Sequence, residues 1–119
     1  MKLDYDLVRN MLGALYEFDG SCEIGNSDFH SLFPNVEAKL LDYHITLLLQ
    51  AGFISVREVA HKKYDDHYDN IRLTWSGQNF YIKIKDDGLW EKVKTHISTN
   101  SIAYTYEAIL AAISFFGNN

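Results

Sequence analysis

One stretch in the middle of the chain, residues 41–75, constrains the fold more than any other. An apolar helical pattern ends at Gly52, and the apolar pair Phe53–Ile54 follows at once. A polar segment comes next, and a second alternating stretch, Ile71–Trp75, completes the unit. A glycine after a helix supplies the left-handed cap that ends it, and apolar–polar alternation is typical of a half-buried strand. The pattern predicts a helix followed by a β-hairpin.

Apolar residues at helical spacing predict three helices up to the hairpin. The first should span residues 4–18, with Asp4 as its N-cap. A short second helix should end before Pro34, because proline restricts the residue before it to extended dihedrals. The third should span residues 36–51 and lead into a first strand over residues 53–60. The second and third helices, with Pro34 between them, have the spacing of a helix-turn-helix.

Two or three further helices are expected after the hairpin. Ser76 is placed to cap the fourth helix, and the sequence Asp86-Asp87-Gly88 should break it. The last helix should begin near Thr105 and end at Gly117. It is apolar nearly all round, which is typical of a helix buried on more than one side, in the core or in a subunit interface. The candidate dimer contact comprises Ile109, Ile113 and Phe116. The aromatic residues expected in the core are Trp75, Phe80, Tyr81 and Trp90.

Length and composition favour one domain with a core of its own. The chain has 119 residues, of which 47% are apolar and 14% aromatic, enough to bury a core in a chain of this size. We expect a single domain over residues 1–119, with the helix-turn-helix and hairpin in 1–75 and a helical extension in 76–119. The lone cysteine, Cys22, excludes an intrachain disulfide and favours a reducing compartment. No segment has the roughly 18 apolar residues of a membrane span or the core of a signal peptide, so we expect a cytoplasmic protein without membrane contact.

The order of these elements predicts an α+β fold of the winged helix-turn-helix type, with a small antiparallel wing sheet and added C-terminal helices. Residues 44–54, followed by residues 71–77, resemble the general winged-helix pattern. In that pattern the recognition helix ends in a small residue, a glycine and two apolar residues, and the second wing strand ends in Leu-Thr-x-x-Gly.

The whole chain also resembles an uncharacterised bacterial and prophage family, domain of unknown function 2513. The matching residues lie in order along most of the chain: Met1-Lys2-Leu3-Asp4-Tyr5-Asp6-Leu7, Tyr43-His44, Leu73-Thr74-Trp75-x-Gly77, Asp87 and Trp90-x-Lys92-Val93-Lys94. The resemblance implies a winged-helix fold and a bacterial or phage source. It implies no activity, because none is established for the family.

The outward face of the third helix is the first candidate binding surface. Apart from Leu47 its residues are Glu37, Lys39, Asp42, Tyr43, Thr46 and Gln50. Base readout favours Arg, Lys, Asn and Gln, whereas this face has two acids, one lysine and one glutamine. Residues 1–56, which contain it, carry three bases against eight acids. Since phosphate contacts supply most of the affinity of a DNA-binding protein, the face favours a protein partner.

The tip of the hairpin is the second candidate surface. It carries Lys62, Lys63, Tyr64, His67 and Tyr68. These side chains suit a phosphate backbone or a protein, but Asp65, Asp66 and Asp69 would repel phosphate. A charged hairpin tip is most often only solvated. The segment also holds His61, but it has no helical His-x-x-x-His and no cysteine partner, so we expect no metal site.

The sequence contains no catalytic motif, neither Gly-x-Ser-x-Gly nor a phosphate loop nor a dinucleotide fingerprint. Its most distinctive polar pair is Tyr43-His44, and a histidine beside a large aromatic residue on a helix usually packs or hydrogen-bonds. We therefore expect a non-enzymatic protein without a cofactor. The leading hypothesis is a regulator, or an inhibitor of a host system, that works through protein contacts with an acidic face that mimics nucleic acid. The alternative is a dimeric DNA-binding transcriptional regulator that uses the third helix and the wing.

Overall fold

The computed structural model describes residues 1–18, 24–58 and 68–117. In these ranges the protein has six helices and one two-stranded antiparallel sheet, which confirms the predicted α+β class. In chain order the elements are α1 (Tyr5–Glu17), α2 (Asn26–Leu32), α3 (Ala38–Gln50), β1 (Ile54–Glu58), β2 (Tyr68–Leu73), α4 (Trp75–Ile84), α5 (Asp87–Thr99) and α6 (Tyr106–Gly117).

The chain divides into two compact units, residues 1–79 and residues 80–119. The first unit contains α1, α2, α3, the hairpin and the first half of α4. The second contains the remainder of α4 together with α5 and α6. The single domain over residues 1–119, divided at residue 75, stays a prediction.

The first unit has a core built from the apolar stripes of its helices. The Asp4 carboxylate caps α1, as predicted, by accepting hydrogen bonds from the backbone N–H groups of Asp6 (2.9 Å) and Leu7 (3.2 Å). In a strand-like contact, the backbone N–H of Ile71 donates to the carbonyl oxygen of Ile24 at 2.8 Å. The buried side chains of α1 and α3 are Leu7, Val8, Met11, Leu12, Leu15, Leu41, His44, Ile45 and Leu48.

A glycine ends α3 as the sequence predicts. Gly52 has a φ of +80°, the left-handed conformation that glycine adopts at no steric cost. The Gly52 N–H donates to the Leu49 carbonyl oxygen at 3.1 Å, and the Phe53 N–H donates to the Leu48 carbonyl oxygen at 2.9 Å. This is the paired hydrogen-bond pattern of a Schellman cap, and it sends the chain directly into β1.

The second strand and the start of α4 differ from the prediction. Strand β2 ends at Leu73, and α4 begins at Trp75 with Thr74 rather than Ser76 as its cap. The side chain of Trp75 is 82% exposed, so its predicted place in the core is wrong. The helix begins two residues earlier than expected, and the indole lies exposed on its first turn. Phe80 and Trp90 are buried as predicted, and Tyr81 is half-buried.

The second unit consists mainly of α5 and α6. Asp86 caps α5 by accepting from the Leu89 N–H at 2.8 Å, which accounts for the predicted break. Thr105 caps α6 by accepting from the Ala108 N–H at 3.1 Å, as predicted. The buried side chains of this unit include Phe80, Ile84, Trp90, Val93, Ile97, Ile109 and Ala112.

Candidate functional site

The outward face of α3 lies open to solvent. Five of its predicted residues are exposed: Glu37, Lys39, Asp42, Thr46 and Gln50. Tyr43 and Leu47 are half-buried at its border. The helical period therefore placed the face correctly, and a partner would meet two carboxylates, one ammonium group and two uncharged polar side chains.

A histidine from α2 contributes to the same surface. The Nε2 atom of His30 lies 2.7 Å from Oδ1 of Asp42, which joins α2 to α3. The side chains remain 31% and 52% exposed, so the pair is accessible from outside. An exposed pair of this kind stabilises a fold by about 0.2–1 kcal/mol. The contact also orients the Asp42 carboxylate on the outward face of α3.

His44 faces the opposite way, into the core of the first unit. Its ring has no exposed surface. Nδ1 lies 2.9 Å from the Leu40 carbonyl oxygen, and Nε2 accepts the backbone N–H of Asp4 at 2.9 Å. Because Nε2 accepts a hydrogen bond, it carries no proton, and Nδ1 carries the proton that is donated to the Leu40 carbonyl oxygen. His44 thus ties α3 to the cap of α1, which is the packing and hydrogen-bonding role predicted for it.

The Leu73-Thr74-Trp75-Ser76-Gly77 sequence forms the junction between the hairpin and α4. The Thr74 hydroxyl donates to the carbonyl oxygen of Gly52 and accepts the N–H of Gly77 at 3.1 Å. The Thr74 N–H donates to the Phe53 carbonyl oxygen at 3.0 Å. One residue therefore caps α4 and holds it against the end of α3. The sequence motif therefore marks a structural junction.

Replacing Thr74 with valine is expected to lower the free energy of unfolding by about 1–2 kcal/mol. Valine keeps the shape but removes both the donor to Gly52 and the cap of α4. Chemical denaturation measures the change. Thr74→Ser keeps the hydroxyl and should recover most of the loss. A loss in Thr74→Ser with none in Thr74→Val would show that the methyl group, not the hydroxyl, matters.

The hairpin is described only at its base. Lys62, Lys63, Tyr64 and His67 lie outside the described residues, as does Cys22. Tyr68 opens β2 half-buried, and its backbone N–H donates to Oδ1 of Asn26 at 2.9 Å. On the neighbouring strand, Arg57 pairs with Asp69 at 2.7 Å. The exposed Arg72 donates from Nε to Oδ1 of Asn70 at 2.8 Å. The sheet therefore presents two arginines whose positions are fixed by neighbouring side chains.

The predicted dimer contact on α6 is only partly accessible. Ile109 is fully buried within the chain, and Ile113 and Phe116 are half-buried. The exposed aromatic residue of the helix is Phe115, 65% of which faces solvent. Sequence reasoning missed Phe115 because α6 is apolar on every side, so that its pattern does not show which side faces the core. A second subunit on this helix would meet Phe115 before Ile109.

Within the described part of the chain, no group of three or more His, Cys, Asp or Glu side chains is arranged to hold a metal ion. Of the acids predicted near the hairpin tip, Asp69 is described, and it pairs with Arg57. In the same ranges no helix has both the length and the apolar character needed to cross a membrane.

Comparison with known proteins places most of the chain in one family. The sequence model described as "Hypothetical protein (DUF2513)" matches residues 2–103. An "Uncharacterized protein" of Haemophilus influenzae is 28% identical over 109 residues, which cover 92% of this chain and 89% of the relative. No solved structure matches the chain.

Proposed function

This chain belongs to the DUF2513 family, and we propose that it is a non-enzymatic winged-helix protein that binds another protein through the outward face of α3. The order of its elements supports the winged-helix assignment. Helices α2 and α3 take the places of the helix-turn-helix, and β1 and β2 take the place of the wing. The hydrogen bond from Ile71 to Ile24 puts a further segment beside β2, where a three-stranded wing sheet has its third strand.

The observation that carries the proposal is the charge of the α3 face. In a winged helix this face is the one that reads DNA. Here it carries the carboxylates of Glu37 and Asp42 and one permanent positive charge, Lys39, with His30 beside Asp42. Carboxylates on that face repel phosphate at the distance where a DNA-binding protein needs attraction. The same carboxylates attract a protein whose own surface is basic. The face therefore suits a regulator, or an inhibitor of a host system, that occupies a nucleic-acid site on its partner.

The alternative function is a DNA-binding transcriptional regulator that acts as a dimer. The exposed Arg57 and Arg72 on the wing strands favour it, since arginine is the residue that most often contacts phosphate and guanine. Fluorescence anisotropy with labelled duplex DNA distinguishes the two functions. DNA binding predicts an affinity that falls steeply as salt increases, whereas the protein-partner proposal predicts no binding at low salt.

Crosslinking within the cell tests the proposed face directly. A photoreactive amino acid at Thr46, an exposed position on α3, should give a discrete protein adduct. The same amino acid at Glu17, an exposed position at the end of α1, serves as the control and should give none. The Glu37→Lys change should reduce the adduct severalfold, because it reverses a charge that the partner meets. Equal adducts from both sites, or no effect of the charge reversal, would contradict the proposal.

A further inference from the structure

We propose that two copies of this chain form a symmetric dimer through the second unit, with Phe115 of each copy seated in a groove beside α5 of the other. The inference concerns a surface other than the α3 face. It holds whichever partner that face binds.

The first observation is that Phe115 is exposed but held in place. Its ring stacks on His96 at a centroid distance of 5.2 Å and meets Phe116 edge-on at 5.0 Å. These two contacts fix the side chain while 65% of it stays in solvent. An aromatic side chain that is ordered before binding loses little entropy when a partner covers it, and aromatic anchors of this kind dominate the energy of many interfaces.

The second observation is a groove directly beside this ring. It has a volume of about 430 Å³ and is lined by α5 side chains between Glu91 and Asn100, with Phe116 on its other side. His96 and Phe116 belong both to the groove and to the support of Phe115. Each copy therefore carries a projecting aromatic ring and a recess on the same surface. Such a surface is self-complementary and closes at two copies around a twofold axis.

The third observation is charge, and it favours a second copy as the occupant. The chain has a net charge of −5, so two copies carry a net mutual repulsion. Residues 95–117 are the exception, because Glu107 is the one Asp, Glu, Lys or Arg among them. The exposed side of α6 also carries the small residues Ala111 and Ser114, which allow the backbone of another helix to approach closely.

The spacing of the two helices indicates the orientation. Glu107 and Phe115 are eight positions apart on α6, as are Lys92 of α5 and Asn100, the residue that caps the end of α5. Each spacing corresponds to about 12 Å of helix. With the partner copy's α6 parallel to α5 and its Phe115 at the Asn100 end of the groove, the partner copy's Glu107 lies at Lys92; this pairing of opposite charges is the reason for proposing the parallel direction. The twofold axis makes this pair twice, so the one charge on α6 meets an opposite charge.

Analytical ultracentrifugation of the full chain tests the proposal. Wild type should sediment as a monomer–dimer equilibrium with a mass limit of two chains as the concentration rises to roughly 100 μM, the range of weak self-association. The Phe115→Ser variant should raise the dissociation constant roughly thirtyfold, as loss of a central aromatic anchor does. The control, Trp75→Ser, removes an indole that is 82% exposed at the start of α4 and should leave the equilibrium unchanged.

A charge exchange provides a second test that does not depend on Phe115. Lys92→Glu alone should weaken the dimer, and Lys92→Glu combined with Glu107→Lys should restore it, because both residues are exposed and the pair is then reversed. A monomeric wild type, an open-ended series of larger species, or equal dimerisation of wild type and Phe115→Ser would overturn the proposal. Weakening by both the single and the double charge variant would overturn the orientation and with it the seat of Phe115.

Discussion

A Gly77→Ala variant is expected to lose about 3 kcal/mol of unfolding free energy, although alanine normally stabilises a helix by up to about 1 kcal/mol relative to glycine. Gly77 is buried in the first turn of α4. A Cβ atom there would overlap the carbonyl oxygen of Phe53 and lie 2.9 Å from its carbonyl carbon and 3.2 Å from Cδ2 of Leu73. The first two are backbone atoms that already form the junction with Thr74, so they cannot move without breaking its hydrogen bonds.

Gly117→Ala is the matched control, because it makes the same change in a helix where there is room. A Cβ atom at Gly117 meets Cγ2 of Ile113 at 3.9 Å, an ordinary contact distance. This variant should be neutral or slightly stabilised. Chemical denaturation followed by circular dichroism measures both changes. If Gly77→Ala were as stable as Gly117→Ala, the close approach of α4 to Phe53 would be wrong.

The junction also shows where sequence reasoning stops. The sequence placed Gly77 in the first turn of a helix, which is a local property. Its need for glycine depends on Phe53, 24 positions earlier, and no local pattern carries that information. The same reason accounts for Trp75. The position of Trp75 after an alternating stretch favours a strand. In the structure the Thr74 hydroxyl hydrogen-bonds to Gly52 and caps α4, so the helix begins at Trp75.

Features that depend on neighbours in the sequence were predicted well. Asp4 and Thr105 cap their helices because an N-cap side chain needs only the backbone two or three residues further on. Gly52 ends α3 for an equally local reason. The outward residues of α3 followed from the helical period. On α6 the period separates the side of Ile109 from Phe115, but it does not show which side would meet a second subunit, because apolar residues lie on every side; Ile109 is buried and Phe115 exposed.

Replacing His44 with alanine is expected to cost about 3 kcal/mol of unfolding free energy. Part of the cost comes from the cavity left by a fully buried ring, for which large-to-alanine changes cost about 2–5 kcal/mol. Part comes from the Asp4 N–H, which loses its acceptor at the start of α1. His44→Leu fills most of the volume without the hydrogen bonds, so it should cost less than alanine and isolate the polar part.

His30→Ala is the control for this prediction, because it removes a histidine whose side chain is 31% exposed and which pairs with an exposed carboxylate. It should cost no more than about 1 kcal/mol. Amide hydrogen exchange gives a readout specific to the bond: the Asp4 N–H should exchange faster in both His44 variants and at the wild-type rate in His30→Ala. If His44→Ala cost no more than His30→Ala, the tie between α3 and the cap of α1 would not hold the first unit together. Equal exchange at Asp4 in all variants would show that its N–H does not depend on the His44 ring.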